Sequence, residues 1–286
     1  MRFSRRQAVF GLAVCSLVCA QTKPPLTIAY GASPDGPLTL DYYRASGGGP
    51  HPAVILVHDG DAAASSSKSD SEVYLSRVLA SSGFACFSIN YRLAPRMAYP
   101  LVAQDVQRAV RFVRHEANNF EVDPAHIALL GTGGGGVLAG LAALQQGNRA
   151  GSKDPVDRTD ATVQAVIAIA APSDFRATNP AVLDETGALT EASVVMHLRA
   201  DAPPFLLIHG DSDDLVDLSQ STHLQTALYR AGAACDLIII PDGGHSVDGW
   251  LSLPRLRPWE HEIVNWLNEL THHQGRPAGV LRRGPQ

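Results

Sequence analysis

Apolar and polar positions alternate in blocks along this chain, and the blocks predict strands and helices in turn. "TIAY" (Thr27 to Tyr30) and "LTLDYYRA" (Leu38 to Ala45) alternate with a period of two and read as edge strands. "AVILVH" (Ala53 to His58) is a continuous apolar run, the signature of a strand covered on both faces. "SEVYLSRVLASSG" has helical spacing and stops at Gly83. "FACFSINYR" is the next strand. The segment from Leu101 to Phe120 places Val102, Val106, Val110 and Val113 along one helical face, with arginines opposite.

The same alternation continues to the C-terminal region. "HIALLG" predicts a strand and "GVLAGLAALQQG" a helix. "VQAVIAIAA" and "PPFLLIHG" predict strands, "LSQSTHLQTALYRAG" a helix, "CDLIIIP" a strand and "PWEHEIVNWLNELTHH" a helix. Strands alternating with helices predict an α/β fold: a mostly parallel twisted sheet with helices on both faces. The chain of 286 residues, 45% hydrophobic and 18% charged, is long enough for one sizeable core. "GNRAGSKDPVDRTD" reads as a polar surface loop.

Both ends are expected to lie outside this fold. Residues 1–20 carry Arg2, Arg5 and Arg6, then an apolar run, then Val18-Cys19-Ala20, the pattern of a secretory signal cleaved after Ala20. Ser4-Arg5-Arg6 partly matches a twin-arginine signal. That assigns residues 21–273 to a single domain, 274–286 to a disordered tail, and the protein to the periplasm or the cell exterior. Loss of the leader takes the formal net charge from −5 to −8, which excludes an electrostatic footprint for nucleic acid or an anionic membrane. Cys86 and Cys235 sit in apolar strands and read as buried free thiols; no Cys/His cluster suggests a metal.

In an open α/β sheet, sites form beyond the C-terminal ends of the strands. Five loops there carry polar or glycine-rich groups: "HDGDAAA", "YRLAP", "GTGGGG", "HGDSDD" and "PDGGHS". The glycine run admits two readings. Gly131, Gly133 and Gly136 match the G-x-G-x-x-G turn of a dinucleotide site, between a strand and a helix. That motif needs an acid about 20 residues on, and the first acid after the next strand is Asp174. It also belongs on the first strand of its unit, whereas other strands precede this one. The second reading is a nucleophile elbow. The order of turn, then "HGDSDD", then "GGHS" is the hydrolase order of nucleophile, acid and histidine.

"YRLAP" (Tyr91 to Pro95), "YPLVAQDVQRAVRFVR", "VDPAHIALLG" and "PPFLLIHGDSDDLV" together resemble the esterase and lipase branch of the α/β-hydrolase superfamily. The likeness is to small secreted carboxylesterase-like members of the feruloyl and acetyl-xylan esterase kind. It runs from about Leu38 to Leu270. The resemblance implies an α/β-hydrolase fold with a short lid insert over Arg176 to Ala200, a small-molecule or carbohydrate ester as substrate or ligand, and no cofactor or metal. It assigns His245 as general base and Asp213 as the acid that orients it. It puts Gly133 where the family has its serine, Thr132 where the family has Asp or Glu, and Gly134 in the oxyanion hole. The family's His-Gly-Gly-Gly oxyanion loop reads here as His58, Asp59, Gly60, Asp61, with Gly60 retained.

Glycine has no lone pair for a base to unmask, so acyl-enzyme formation at position 133 is impossible. Thr132 points elsewhere on a sharp turn and is not expected to replace it. Carboxylates at Asp59 and Asp61 oppose an oxyanion unless they turn to solvent. The expectation is a degenerate carboxylesterase-type site, inactive or very weak as a serine esterase. The alternatives are hydrolysis by water activated at His245 with Asp213, and, remotely, dinucleotide binding at 131–136. His209 is expected to be a buried packing histidine, Asp211 and Asp214 turn and helix-capping residues, and Asp242 and Asp248 solvated.

Overall fold

The computed structural model describes residues 24–34, 36–59, 66–93, 100–145, 151–178, 187–251 and 259–272. The expected leader, Met1 to Ala20, and the expected tail from 274 onward lie outside them. The strands are β1 (Leu26–Ser33), β2 (Gly36–Tyr43), β3 (His51–Val57), β4 (Ala85–Ile89), β5 (Val122–Thr132), β6 (Ala165–Ile169), β7 (Phe205–Gly210) and β8 (Cys235–Ile240). They form one sheet in the order β1-β2-β4-β3-β5-β6-β7-β8. The β1/β2 and β2/β4 pairs are antiparallel and all others parallel. This is the doubly covered, mostly parallel sheet the pattern predicts.

The helices are α1 (Asp70–Ser81), α2 (Leu101–His115), α3 (Ala117–Phe120), α4 (Gly134–Leu144), α5 (Phe175–Thr178), α6 (Ala188–Ala192), α7 (Ser219–Ala231), α8 (Val247–Leu251) and α9 (Trp259–His272). They cover the two faces of the sheet. On one face α2, α4 and α7 bury Val102, Val106, Val110, Val113, Val137, Leu224 and Leu228 against Ile55, Phe87 and Leu207. On the other α1, α8 and α9 bury Leu75, Leu79, Trp250, Trp259, Ile263 and Trp266 against Val54, Leu56 and Ile208. Each strand of the parallel block therefore feeds both cores, which is why β4, β6 and β7 have no exposed residue. Cys86 and Cys235 are buried free thiols in these cores, and burial raises both thiol pKa values.

Three local expectations change. β2 is not an edge: β1 and β4 flank it, and its polar Asp41 is fully buried. Hydroxyls supply what water would. Thr27 Oγ1 donates to Asp41 at 2.5 Å and Ser67 Oγ at 2.6 Å. The segment from Leu101 to Phe120 is two helices, because Glu116 leaves the helical region (φ −93°, ψ 14°). The insert from Arg176 to Ala200 is in part a packing element. The 3₁₀ turn Val194–His197 sets Val194 against Gly140 of α4, with 179–186 outside the described residues.

The polar loop before β6 is tied down from α2. Arg108 reaches Asp154 and Asp157 at 2.8 Å each. Arg111 donates to the Thr159 carbonyl, and Arg114 to those of Pro124, Asp160 and Thr162.

Candidate active site

The parallel strands β3 to β8 deliver their following loops to one end of the sheet, and a dyad forms there between the loops after β7 and β8. Asp213 Oδ2 accepts the His245 Nδ1–H at 2.9 Å, and the Asp213 side chain is fully buried. Its other oxygen, Oδ1, accepts the Leu215 and Val216 N–H groups at 2.9 and 2.8 Å. A buried carboxylate held by two amides keeps one orientation, so the imidazole it receives is held too. With Nδ1–H given to Asp213, His245 presents Nε2 as a lone pair, the form of a general base.

Backbone contacts lock these two loops together. The Ser212 N–H donates to the Gly243 carbonyl at 2.9 Å, and the Asp211 N–H to that of Ile240 at 3.1 Å. Trp250, buried on α8, donates its indole N–H to the Gly244 carbonyl at 2.8 Å, next to His245. Asp211 accepts the Asp242 N–H at 2.7 Å, so it joins the loops rather than capping a helix. The acid at the start of α7 is Asp217, whose Oδ1 accepts the Ser219 N–H at 2.8 Å.

His209 is buried, as expected, but it also touches the dyad. Its Nε2–H donates to the Val216 carbonyl at 2.8 Å and lies 3.2 Å from Asp213 Oδ2. Its Nδ1 accepts the Ser221 hydroxyl at 2.7 Å. The sequence alone marks it as a packing residue. The signal of something more was a histidine closing an otherwise apolar strand four residues before the acid.

At the other side of the site, β5 turns sharply into α4 through Gly133. Its φ of 49° and ψ of −121° are a conformation that side chains disfavour and glycine adopts freely. Gly135 is demanded by a different constraint: a Cβ there would lie 2.1 Å from the Val57 carbonyl oxygen and 2.3 Å from that of His58.

The space above Gly133 is also filled. A Cβ at this position would lie 2.5 Å from Asp59 Oδ2, 2.7 Å from its Cγ and 2.9 Å from Oδ1. Asp59 Oδ1 accepts the Gly134 N–H at 2.9 Å. The carboxylate therefore points inward onto the first N–H of α4, where helix-terminal donors and the helix dipole favour an anion. Of the two orientations the sequence left open, toward solvent or toward the oxyanion position, Asp59 takes the inward one. A negative group seated there also repels a pyrophosphate, so the arrangement gives the dinucleotide reading no support.

Asp59 is held from behind. Buried His58 gives its Nδ1–H to the Asp59 carbonyl at 2.8 Å, and burial pushes this imidazole below its ordinary pKa. Tyr91, the first residue of "YRLAP", stacks on His58 with ring centres 4.5 Å apart and donates its hydroxyl to the His58 carbonyl at 2.9 Å. Gly60 and Asp61, the remaining positions of the expected oxyanion loop, lie outside the described residues.

Thr132 is engaged elsewhere. Its hydroxyl donates to Glu72 Oε1 at 3.1 Å, while Ser71 donates to Oε2 at 2.8 Å. Glu72 is buried on α1, and desolvation raises its pKa, with a smaller push from Asp248. This acid is not among the residues the sequence points to. It falls on the same helical face as Leu75 and Leu79, a carboxyl among apolar core positions.

Comparison with known proteins places the chain in a family. The BD-FAE family model matches residues 40–228. The chain is similar to the esterase LipC of Mycobacterium tuberculosis, 29% identical over 79% of this chain and 60% of the relative. It is also similar to the esterase LipQ of the same organism, 31% identical over 58% of this chain and 43% of the relative. The chain thus spans about two fifths to three fifths of the length of these curated relatives. Among solved structures, a truncated carbohydrate esterase from gut microbiota superposes with a TM-score of 0.73 at 24% identity, covering 89% of this chain and 99% of that one. An acetyl ester-xyloside bifunctional hydrolase from Caldicellulosiruptor lactoaceticus superposes with a TM-score of 0.75 at 20% identity, covering 88% and 98%. At these identities the structures establish the α/β-hydrolase fold.

Proposed function

We propose, for a chain that belongs to the BD-FAE family of esterase-type α/β-hydrolases, that serine acyl transfer does not run at this site. Position 133 is read as the place of the lost nucleophile, and the observation that carries the reading is what surrounds it. Glycine offers no nucleophile. The neighbouring hydroxyl, Thr132, is committed to Glu72. The N–H that would hold a developing oxyanion, on Gly134, is committed to Asp59. The protein is then a degenerate carboxylesterase-type member that keeps affinity for a small carboxylic or carbohydrate ester. The names of its relatives, esterase and carbohydrate esterase, support that ligand class. The arginine-led apolar start of the chain supports an exported protein.

A second reading is favoured by one observation, the ordered Asp213–His245 pair. It is slow hydrolysis by water that His245 deprotonates.

The two readings separate in one experiment: nitrophenyl acetate hydrolysis and fluorophosphonate labelling of the native protein, Gly133→Ser, and Gly133→Ser with Asp59→Ala. The native protein is expected to take no label. Gly133→Ser alone should stay silent, because the Asp59 carboxylate it displaces still carries a negative charge beside the new hydroxyl and opposes an oxyanion, and the double variant should gain both turnover and label. Labelling of the native protein defeats the proposal. Unlabelled turnover abolished by His245→Gln establishes the second reading.

A further inference from the structure

The carboxylate of Asp59 is more than an obstruction. Its Oδ2 lies 2.5 Å from the point where a side chain at 133 would begin, so it stands against the position from which a serine would act. It is also held in place, through its carbonyl by His58, through His58 by Tyr91, and through Oδ1 by Gly134. Carboxylates act as nucleophiles in enzymes, forming covalent esters that a second step hydrolyses.

We propose that Asp59 is the nucleophile of this site, and that its substrates carry a leaving group stable as an anion, such as halide, on saturated carbon. The inference rests on reading position 133 as the place of the lost serine. The electrophile follows from where the Gly134 N–H points. An acyl substrate needs that donor for its own oxyanion, and Asp59 Oδ1 already holds it. Displacement at saturated carbon develops no oxyanion on the substrate. The donor is needed later, on the enzyme's own carboxyl.

The steps balance without a further reactant except water. Asp59 Oδ2 forms a bond to carbon as the carbon–halogen bond breaks, and halide leaves with the electron pair. Water, giving a proton to His245 Nε2, adds to Asp59 Cγ. The negative charge develops on Oδ1, which the Gly134 N–H holds. Collapse breaks the Cγ–Oδ2 bond, and the alkoxide takes the proton back from His245, whose positive charge Asp213 stabilises. The net reaction converts alkyl halide and water to alcohol, halide and a proton. The alcohol keeps the oxygen of Asp59, and Asp59 keeps the oxygen of water.

The test uses n-butyl bromide and the full chain. In heavy-oxygen water the native protein should release bromide, and the peptide bearing Asp59 should gain heavy oxygen. His245→Gln should accumulate a butyl ester at Asp59, located by fragment mass. Asp59→Asn, which keeps an acceptor for the Gly134 N–H, should abolish both signals while its urea midpoint stays near the native value. Bromide release that survives Asp59→Asn overturns the proposal, as does an adduct on another residue, or no release with no adduct. Fluorophosphonate labelling in parallel tells the two failures apart. No adduct and no label overturns the carboxylate nucleophile alone, whereas a label overturns the reading of position 133 and this inference with it.

Discussion

A serine placed at position 133 should destabilise the turn between β5 and α4. Gly133→Ser places a Cβ 2.5 Å from Asp59 Oδ2 and 2.7 Å from its Cγ, closer than unbonded atoms can approach. The carboxylate has to leave, and it then gives up the Gly134 N–H. A hydrogen bond to a charged group is worth about 1.5–3 kcal/mol. The backbone at φ 49°, ψ −121° adds strain once a side chain is present, about 1–2 kcal/mol. Together these predict a loss of about 3–5 kcal/mol, a large part of an ordinary domain's stability.

Urea unfolding followed by tryptophan fluorescence measures this loss, and a double-mutant cycle with Asp59→Ala isolates its cause. Asp59→Ala removes every atom in the collision and loses the same hydrogen bond. The hydrogen-bond cost is then counted once in the double variant and twice in the sum of the singles. The double should be more stable than additivity predicts by about 1.5–3 kcal/mol. A Gly133→Ser protein within about 1 kcal/mol of native, or a cycle that closes additively, refutes the reasoning, since either means Asp59 does not fill that space.

Other substitutions test the parts around this centre. Gly135→Ala drives a methyl into the Val57 and His58 carbonyls at the end of β3; it should cost more than about 4 kcal/mol or prevent folding, read from soluble yield and urea midpoint. His209→Phe leaves the buried Ser221 hydroxyl and the half-buried Val216 carbonyl without their partner, and should cost about 2–5 kcal/mol by urea unfolding. Glu72 has its pKa raised by burial, so the folded chain holds this proton more tightly than the unfolded chain. Its contribution to stability is therefore fully present at low pH and is lost as pH rises from the ordinary glutamate value to the raised one. Glu72→Gln should remove that fall, and equal pH slopes for the two proteins across the window would contradict it.

The linear order of residues was enough for the α/β fold, the faces of α2, the two buried thiols and the candidate dyad. Each is written in short-range pattern: continuous apolar runs for strands covered twice, a 3.6-residue stripe at Val102, Val106, Val110 and Val113, and acid and histidine just past successive strand ends. The lack of a side chain at position 133 was equally legible, since glycine brings none in any fold.

Tertiary structure decided what stands beside Gly133. Asp59 and Gly134 are far apart in sequence, and their contact exists because β3 and β5 are neighbours in the sheet. Whether Asp59 faced water or the α4 N-terminus depended on which partner stood within reach, and no local pattern encodes that. The same holds for Asp41 in an inner strand, whose alternation imitated an edge until hydroxyls from Thr27 and Ser67 satisfied it. It holds for Glu72 and His209, polar groups on apolar faces whose partners come from other elements. Hydrophobic periodicity specifies which side of an element is buried, whereas a buried polar group is defined by its partner, and partners are assembled only when the chain folds.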